Sequence, residues 1–376
     1  GQGLAGGGDV DGDGYDDFLI GVPTYDYAGV ETGEIALFFG GSATSLAGLG
    51  LGDADVVFEG EVAGSRTGGR LALGGDMDGD GLADMVFSVS SHAPWIGSAT
   101  RAGWAYVMPG SSLDGTSVMG VADAPVQLSG DDDDYYGGAG LAWIPDMDGD
   151  GLDELAMGAT YAEVGGTAVG VSYLILAADL PSSGTSWMSD ASYIFEGEAA
   201  NDYAGEFNAS AGDVDGDGLG DLWVDAFSND DAGSGAGKAY LILSSGLGTP
   251  GSYSLASADT AVSGEAASSE LGRAIVAVDD MDGDGASEAL LGSKRISSYE
   301  GRAYLFLGAS LSAGGMLSAA DADHSFTSTE TYAYAGGALA APGDLDGNGS
   351  PDLVIGASGS DAGVVDAGAA FVFFTP

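Results

Sequence analysis

The sequence contains no cysteine, two histidines and eight basic residues against 58 acidic ones. Without cysteine, no disulfide holds the fold and no thiol does chemistry. His92 and His324 each stand alone, and neither a G-x-S-x-G elbow nor an H-E-x-x-H pair is present, so little is available for acid–base or nucleophilic catalysis. A formal charge of −50 lacks the basic face that phosphate backbones require, which argues against nucleic acid and against anionic membrane surfaces. No apolar run approaches the roughly 18 residues of a membrane span. Gly1 is followed by neither a charged n-region nor an apolar h-region, so any secretion signal is expected to lie outside this sequence or to have been removed.

Acidic loops dominate instead. The nine residues Asp213 to Asp221 (DVDGDGLGD) place acids at positions 1, 3, 5 and 9 and glycine at 4 and 6, so the backbone can curl until four carboxylates face one centre. Those charges repel unless a cation joins them. Calcium, a hard ion taking about six to eight oxygens, suits the set, with the position-7 carbonyl as a further ligand. The motif occurs six times, starting at Asp9, Asp76, Asp146, Asp213, Asp280 and Asp344, at intervals of 67, 70, 67, 67 and 64 residues. Such a period signifies a repeat architecture.

About six calcium ions are therefore expected. The first set is Asp9, Asp11, Asp13 and Asp17 with the carbonyl of Tyr15; the second is Asp76, Asp78, Asp80 and Asp84 with Leu82. The third is Asp146, Asp148, Asp150 and Glu154 with Leu152, and the fourth Asp213, Asp215, Asp217 and Asp221 with Leu219. The fifth is Asp280, Asp282, Asp284 and Glu288 with Ala286, and the sixth Asp344, Asp346, Asn348 and Asp352 with Ser350. An EF-hand would need a bidentate Glu at position 12 and flanking helices. That position holds Ile20, Phe87, Met157, Val224, Leu291 and Ile355, which are strand-core residues. Six ions would bring the charge only to −38, leaving an acidic, aggregation-resistant surface suited to saline surroundings. Weak calcium sites of this kind work where free calcium is millimolar, outside the cell.

Composition permits a folded chain, since 45% of residues are hydrophobic. The 69 glycines and 10 prolines suit many short strands joined by tight turns. Each repeat offers a small-residue strand before the loop, as in LALGGD and NASAGD, and a short apolar strand after it, as in Leu222 to Val224. A third strand opens on glycine: GEIALFF from Gly33, GWAYVM from Gly103, GVSYLIL from Gly170, GKAYLIL from Gly237, GRAYLFL from Gly301 and GAAFVFF from Gly368. A more polar fourth ends near Glu61, Asp131, Glu198 and Glu265, with a loose fifth copy from His324. Four strands make one antiparallel sheet, and sheets of this size stack radially, so the expected fold is an all-β propeller of six four-stranded blades. The expected domain is single, 1–376, with blades at approximately 1–61, 62–131, 132–198, 199–265, 266–330 and 331–376, the last short of its outer strand.

The order of glycine, small strand, acidic loop, apolar strand, GAP-like triplet and G-x-AYLF strand resembles the FG-GAP repeat of integrin α-subunit β-propellers and their bacterial relatives over essentially the whole chain. The triplet reads GVP at Gly21, GAT at Gly158, GSK at Gly292 and GAS at Gly356; repeats two and four carry Ser88 and Asp225 in its place. The resemblance implies calcium in the loop joining the first and second strands, on the lower face of the ring. Two departures stand out. The family's Phe is replaced by Thr67, Gly137, Ala204, Leu271 and Ala335, with Tyr136, Tyr203 and Tyr334 one position earlier, so integrin-style docking of a β-subunit on an aromatic cup is not implied. Integrin propellers also have seven blades.

The connections after the second and fourth strands vary and are expected to share the face opposite the loops, where recognition tends to sit. The scarce basic residues gather there, as Arg66 and Arg101 with His92 and Trp95, and as Lys294 and Arg295. Arg66, Trp95 and Arg101 are the candidate ligand-binding residues, for an acidic group of a protein or glycan partner; the plainer alternative pairs the arginines with acids such as Glu61. The expected function is a non-enzymatic, secreted or cell-surface, calcium-stabilised adhesion module, without nucleic-acid binding or membrane insertion. The alternatives are the scaffold of a polysaccharide-active or phospholipase-type enzyme, or a lectin with sugars between blades.

Overall fold

The computed structural model describes residues 3–26, 30–41, 48–89, 103–113, 117–130, 137–296, 298–361 and 367–376. They form an all-β fold of six propeller blades; the sole α-helix among them is the five-residue Gly308–Ser312. The chain divides into two compact units, Gly1–Gly166 with Ser172–Ile194, and Thr167–Val171 with Phe195–Pro376.

Each blade is an antiparallel meander. In blade one, Gly3–Gly8, Asp17–Val22, Glu34–Phe38 and Val56–Glu59 pair in order. Blade two pairs Leu71–Gly75, Asp84–Val89, Trp104–Met108 and Val126–Ser129. Blade three orders Gly137–Ile144, Glu154–Ala159, Val171–Ile175 and Tyr193–Glu196. Blade four pairs Asn208–Gly212, Asp221–Ala226, Lys238–Ile242 and Thr260–Ser263, and blade five Ile275–Val278, Glu288–Ser293, Arg302–Phe306 and His324–Thr327. The loosest copy in the sequence, at His324, is thus a full fourth strand. Blade six has three strands among the described residues, Ala335–Gly343, Asp352–Ala357 and Ala369–Phe373.

Every residue of the third strands Trp104–Met108, Val171–Ile175 and Lys238–Ile242 is buried, which explains why they are mostly apolar on both faces, with Ser172 and Lys238 as the buried polar exceptions. One core joins Ile35, Leu37 and Phe58 of blade one to Phe87, Tyr106 and Met108 of blade two. In the second unit, Trp223, Leu241 and Val262 of blade four meet Leu291, Tyr304 and Phe306 of blade five. Leu290 and Leu305 of blade five meet Leu353 and Ile355 of blade six.

Among the described residues blades one to five carry four or five strands, not uniformly four. Val118–Gly120 adds parallel to Val56–Glu59, Gly184–Trp187 to Val126–Ser129, and Gly315–Ser318 to Thr260–Ser263. Each of these short strands arises in the connection between the third and fourth strands of the next blade, and a 3-10 turn follows it. Their sequences, VMG, GTSW and GMLS, are too short to carry the apolar alternation by which a strand is read.

The glycine of the GAP-like triplet marks a close approach between blades. A Cβ on Gly21 would lie 2.0 Å from the carbonyl oxygen of Gly68, and one on Gly292 would lie 2.0 Å from that of Gly336. Blades two and four use a side chain here instead: the Ser88 hydroxyl accepts from the Arg70 N–H (3.2 Å) and Asp225 Oδ1 from the Phe207 N–H (2.8 Å). Gly292→Ala must therefore push backbone away from backbone, and a loss of about 3 kcal/mol or more is expected in denaturant melts. An unchanged midpoint would show that the neighbouring blade can retreat at no cost.

Candidate metal centre and ligand face

The acidic loops are closed by their own carboxylates. In blade four, Asp213 Oδ1 accepts from the N–H groups of Gly216 (2.7 Å) and Asp217 (3.0 Å), and its Oδ2 from Gly218 (2.8 Å). Asp217 Oδ1 accepts from the Leu219 N–H at 2.9 Å. Asp9, Asp280 and Asp344 repeat the pattern. Gly216 and Gly218 turn the chain at φ +74° and +90°, left-handed values that glycine adopts without strain. The loops also link neighbouring blades through backbone bonds: the carbonyls of Asp9, Asp76 and Asp213 accept from the N–H groups of Ala83, Asp153 and Ser287 at 2.8, 3.2 and 2.6 Å.

The position-9 acid is buried in all six blades. Where it is Asp, its two oxygens bracket three strands. Asp84 accepts from Met77 (2.9 Å) and Gly110 (3.0 Å), Asp221 from Val214 and Ser244 (both 2.8 Å), and Asp352 from Leu345 (2.8 Å) and Thr375 (2.9 Å). The second donor in each pair follows the third strand, a role the sequence did not reveal. Where it is Glu, one oxygen takes the loop N–H of Met147 or Met281. The other, Glu154 Oε1 or Glu288 Oε1, is buried with no hydrogen-bond partner, as is Asp215 Oδ1.

Oxygens of Asp280, Asp282, Asp284 and Glu288 lie within 4.8 Å of one another. So do those of Asp9, Asp11 and Asp13; of Asp76, Asp78 and Asp84; of Asp146, Asp148 and Asp150; and of Asp213, Asp215 and Asp221. An all-carboxylate donor set with buried, unpartnered oxygens fits a hard divalent cation. Bound there, such an ion would supply charge neutralisation and a crosslink between the first and second strands.

Burial pushes the pKa of Asp84 up to about 7, Glu154 to about 8, Asp221 to about 6 and Glu288 to about 7, against the lowering effect of their N–H partners. The sign follows directly. In the metal-free protein, the folded state holds these protons more tightly than the unfolded chain. The resulting stability is present below about pH 4 and is lost as pH rises through about 6 to 8. A cation requires the ionised form, so its benefit runs the other way. In excess chelator the protein is expected to melt higher at pH 5 than at pH 8, and the increment from added calcium should be largest at pH 8. Calorimetric melts at both pH values check this; an increment larger at pH 5 would contradict it.

With acidic loops joining strands one and two, antiparallel order puts the second–third and fourth–first connections at the other end of each blade. Arg66 lies there, 54% exposed at φ +51°, and pairs with Glu31 at 2.6 Å rather than with Glu61. Trp95, Arg101 and His92 fall outside the described residues. Tyr203, Glu270 and Tyr334 occupy the equivalent left-handed position at φ +57°, +52° and +55°. The next residue, Thr67, Ala204, Leu271 or Ala335, is buried and bridges the glycine that opens a third strand, Gly33, Gly170, Gly237 or Gly301. The family's Phe is thus replaced by a small or aliphatic peg, and the residue before it turns outward.

In the second unit Glu270 gathers three of the eight basic residues: Arg273 at 3.3 Å, Lys294 at 3.9 Å and Arg295 in direct contact. The Arg273 guanidinium lies 4.0 Å from the Phe227 ring centre. Burial and the Arg273 charge lower the pKa of Lys294. Nearby in sequence, Tyr299 and Tyr332 stack at 5.6 Å, exposed at 41% and 57%. His324 is exposed at the head of its strand.

The FG-GAP repeat family matches residues 1–38 and 335–373. That match and the six blades together fit an integrin-α-like FG-GAP propeller, a fold that is typically a non-catalytic binding module. A solved structure, the crystal structure of BBS1N in complex with ARL6DN, soaked with lead, is similar over 93% of this chain and 74% of its own, at 9% identity and a TM-score of 0.44.

Proposed function

We propose that this chain is a calcium-stabilised extracellular binding module that takes an acidic group of a protein or glycan at the blade ends opposite the acidic loops. The observation that carries this reading is the convergence of Arg273, Lys294 and Arg295 on the single acid Glu270. On a chain of formal charge −50, a local excess of positive charge beside an aromatic ring is suited to an incoming anion, and guanidinium groups favour carboxylate or sulfate. The stacked pair Tyr299 and Tyr332 favours a glycan carrying such a group, because exposed rings offer an apolar platform to a sugar face. Arg66, held by Glu31, is the corresponding point in the first unit, and Trp95 and Arg101 remain proposed companions for it.

A glycan array and a surface-protein pull-down in millimolar calcium test the reading. Lys294→Ala with Arg295→Ala is expected to lower capture of acidic ligands at least about tenfold, as for the loss of one or two charge-assisted contacts. Undiminished capture by that variant, or a preference for neutral ligands, counts against it. Turnover of an acidic polysaccharide would favour the enzyme scaffold instead.

A further inference from the structure

Four of the connections that lead from a fourth strand into the next blade end in the same way. The residues one and three places before the buried peg take left-handed backbone, as Arg66 and Gly64, Tyr203 and Asn201, Glu270 and Ser268, and Tyr334 and Tyr332. In every copy both are wholly or partly exposed and the residue between them is buried. A further left-handed residue faces them from the second–third connection: the carbonyls of Glu31, Gly235 and Tyr299 accept from the N–H groups of Arg66, Glu270 and Tyr334 at 3.0, 3.1 and 3.0 Å.

Such backbone suits glycine and asparagine and is uncommon for a bulky side chain. At the outer of the two places the fold accepts Gly64, Asn201 or Ser268, and at the facing place Gly235 or Glu31. The junction of blades five and six carries tyrosine at all three, with Tyr332 at φ +64°, Tyr334 at +55° and Tyr299 at +65°. Neither the backbone nor the core accounts for this choice, since smaller residues close the other junctions and Tyr332 and Tyr299 stay 57% and 41% exposed. Strain kept at exposed aromatic side chains points to a contact outside the chain.

The three rings meet. Tyr299 stacks on Tyr332 with ring centres 5.6 Å apart and planes 16° apart, and Tyr334 lies against Tyr299 at 5.7 Å with planes 54° apart, so the rings form two walls at an angle. Tyr203, by contrast, is occupied within its own junction, where its ring stacks on Phe227 at 5.9 Å and its hydroxyl donates to Asn201 Oδ1 at 3.4 Å. The basic group adjoins the rings: a Cβ on Gly337 would lie 3.2 Å from the Tyr334 carbonyl oxygen and 3.6 Å from Lys294 Cβ. An acid group alone needs only the cations. Aromatic walls beside them call for a flat apolar face next to the acid, which a uronic acid or a sulfated pyranose presents on its C–H side. We infer that Tyr299, Tyr332 and Tyr334 form a stacking subsite for a pyranose ring of an acidic oligosaccharide, an inference that rests on the binding of an acidic group at Lys294 and Arg295 proposed above.

The test uses the whole chain and a variant with Tyr299→Gly and Tyr332→Asn, the residue types that stand at the equivalent places Gly235 and Asn201. The probes are short oligosaccharides of uronic acids and of sulfated galactose, with oligoglutamate as an acid that lacks a sugar ring, titrated in millimolar calcium. Because the changes relieve left-handed strain, the variant is expected to melt no lower than the parent, yet to bind the oligosaccharides at least about tenfold more weakly and oligoglutamate equally well. A melting temperature lowered by more than about 5 °C would show that the tyrosines hold the junction together, and overturns the inference. Equal affinity of parent and variant for the oligosaccharides overturns it too, as does an equal loss for oligoglutamate, or a parent that binds none of the oligosaccharides. In each of these cases the acidic site itself survives if Lys294→Ala with Arg295→Ala lowers the capture of oligoglutamate. Sugar binding weakened by the tyrosine changes and not by the lysine and arginine changes upholds the stacking subsite and rejects the acidic-group reading.

Discussion

Excess chelator is expected to lower the melting temperature of the whole chain by about 10 °C relative to millimolar calcium at matched ionic strength. A ligand that binds only the native state contributes RT ln(1 + [L]/Kd), about 1.4 kcal/mol per site at ten times Kd, so six equal sites contribute about 8 kcal/mol. That is comparable to the roughly 5–15 kcal/mol stability of an ordinary domain. The structure gives two reasons for an effect beyond the loops. The carbonyls of Asp9, Asp76 and Asp213 receive N–H groups from the following blade, and the position-9 aspartates, as Asp221 does, bracket three strands of their own blade. Asp213→Ala with Asp217→Ala should remove one site and cost correspondingly less than chelation. Superimposable melts with and without chelator, and no metal retained on elemental analysis, would reduce these loops to acidic turns closed by their own backbone.

Replacing Lys238 with Met should destabilise the second unit by about 3 kcal/mol, within the range for removing one partner of a buried pair and discounted for an exposed one. Lys238 is only 1% exposed, and its ammonium lies 2.8 Å from Glu198 and 2.9 Å from Asp231, with the Tyr240 ring centre 5.1 Å away. Burial opposes its charge, but the two carboxylates outweigh that and hold its pKa above the usual value. Glu198 lies two residues beyond the strand Tyr193–Glu196 whereas Lys238 opens the third strand of blade four, so within the second unit the pair ties together segments 40 residues apart. Arg302 and Glu265 repeat the tie between blades four and five at 2.5 Å. Glu198 is 20% exposed and Asp231 56%, so most of the loss should come from Glu198 left without a counter-charge. Adding Glu198→Gln to Lys238→Met should recover part of the stability in urea melts. Losses that simply add would show that Lys238 acts through its packed stem alone.

Much of this molecule was legible before any coordinates, because its information is periodic. Six copies of an acidic nonapeptide, each followed by an apolar strand and a glycine-led one, set the number of blades and the strand order. Local chemistry sufficed there: Asp and Gly at alternating positions dictate a tight turn whichever blade carries them, and a fully apolar run bounded by glycine has few states besides a buried strand. What the sequence could not show depends on pairs distant along the chain. The acids near the ends of the fourth strands read only as strand ends, yet Glu198 and Glu265 meet basic residues 40 and 37 positions away. The position-9 carboxylates read as ligands only, whereas where the residue is Asp, its second oxygen accepts an N–H group beyond the third strand, as at Asp84 and Asp221. Arg66 read either as a contact for a partner's acid or as paired with an acid such as Glu61, and the fold instead brings Glu31 to it across 35 residues. The short parallel strands were invisible because a strand added at a sheet edge needs only backbone hydrogen bonds, which nearly every sequence can supply. Composition and repetition therefore determined the blade, and tertiary packing alone decided which side chains, distant along the chain, fasten its strands and loops to their neighbours.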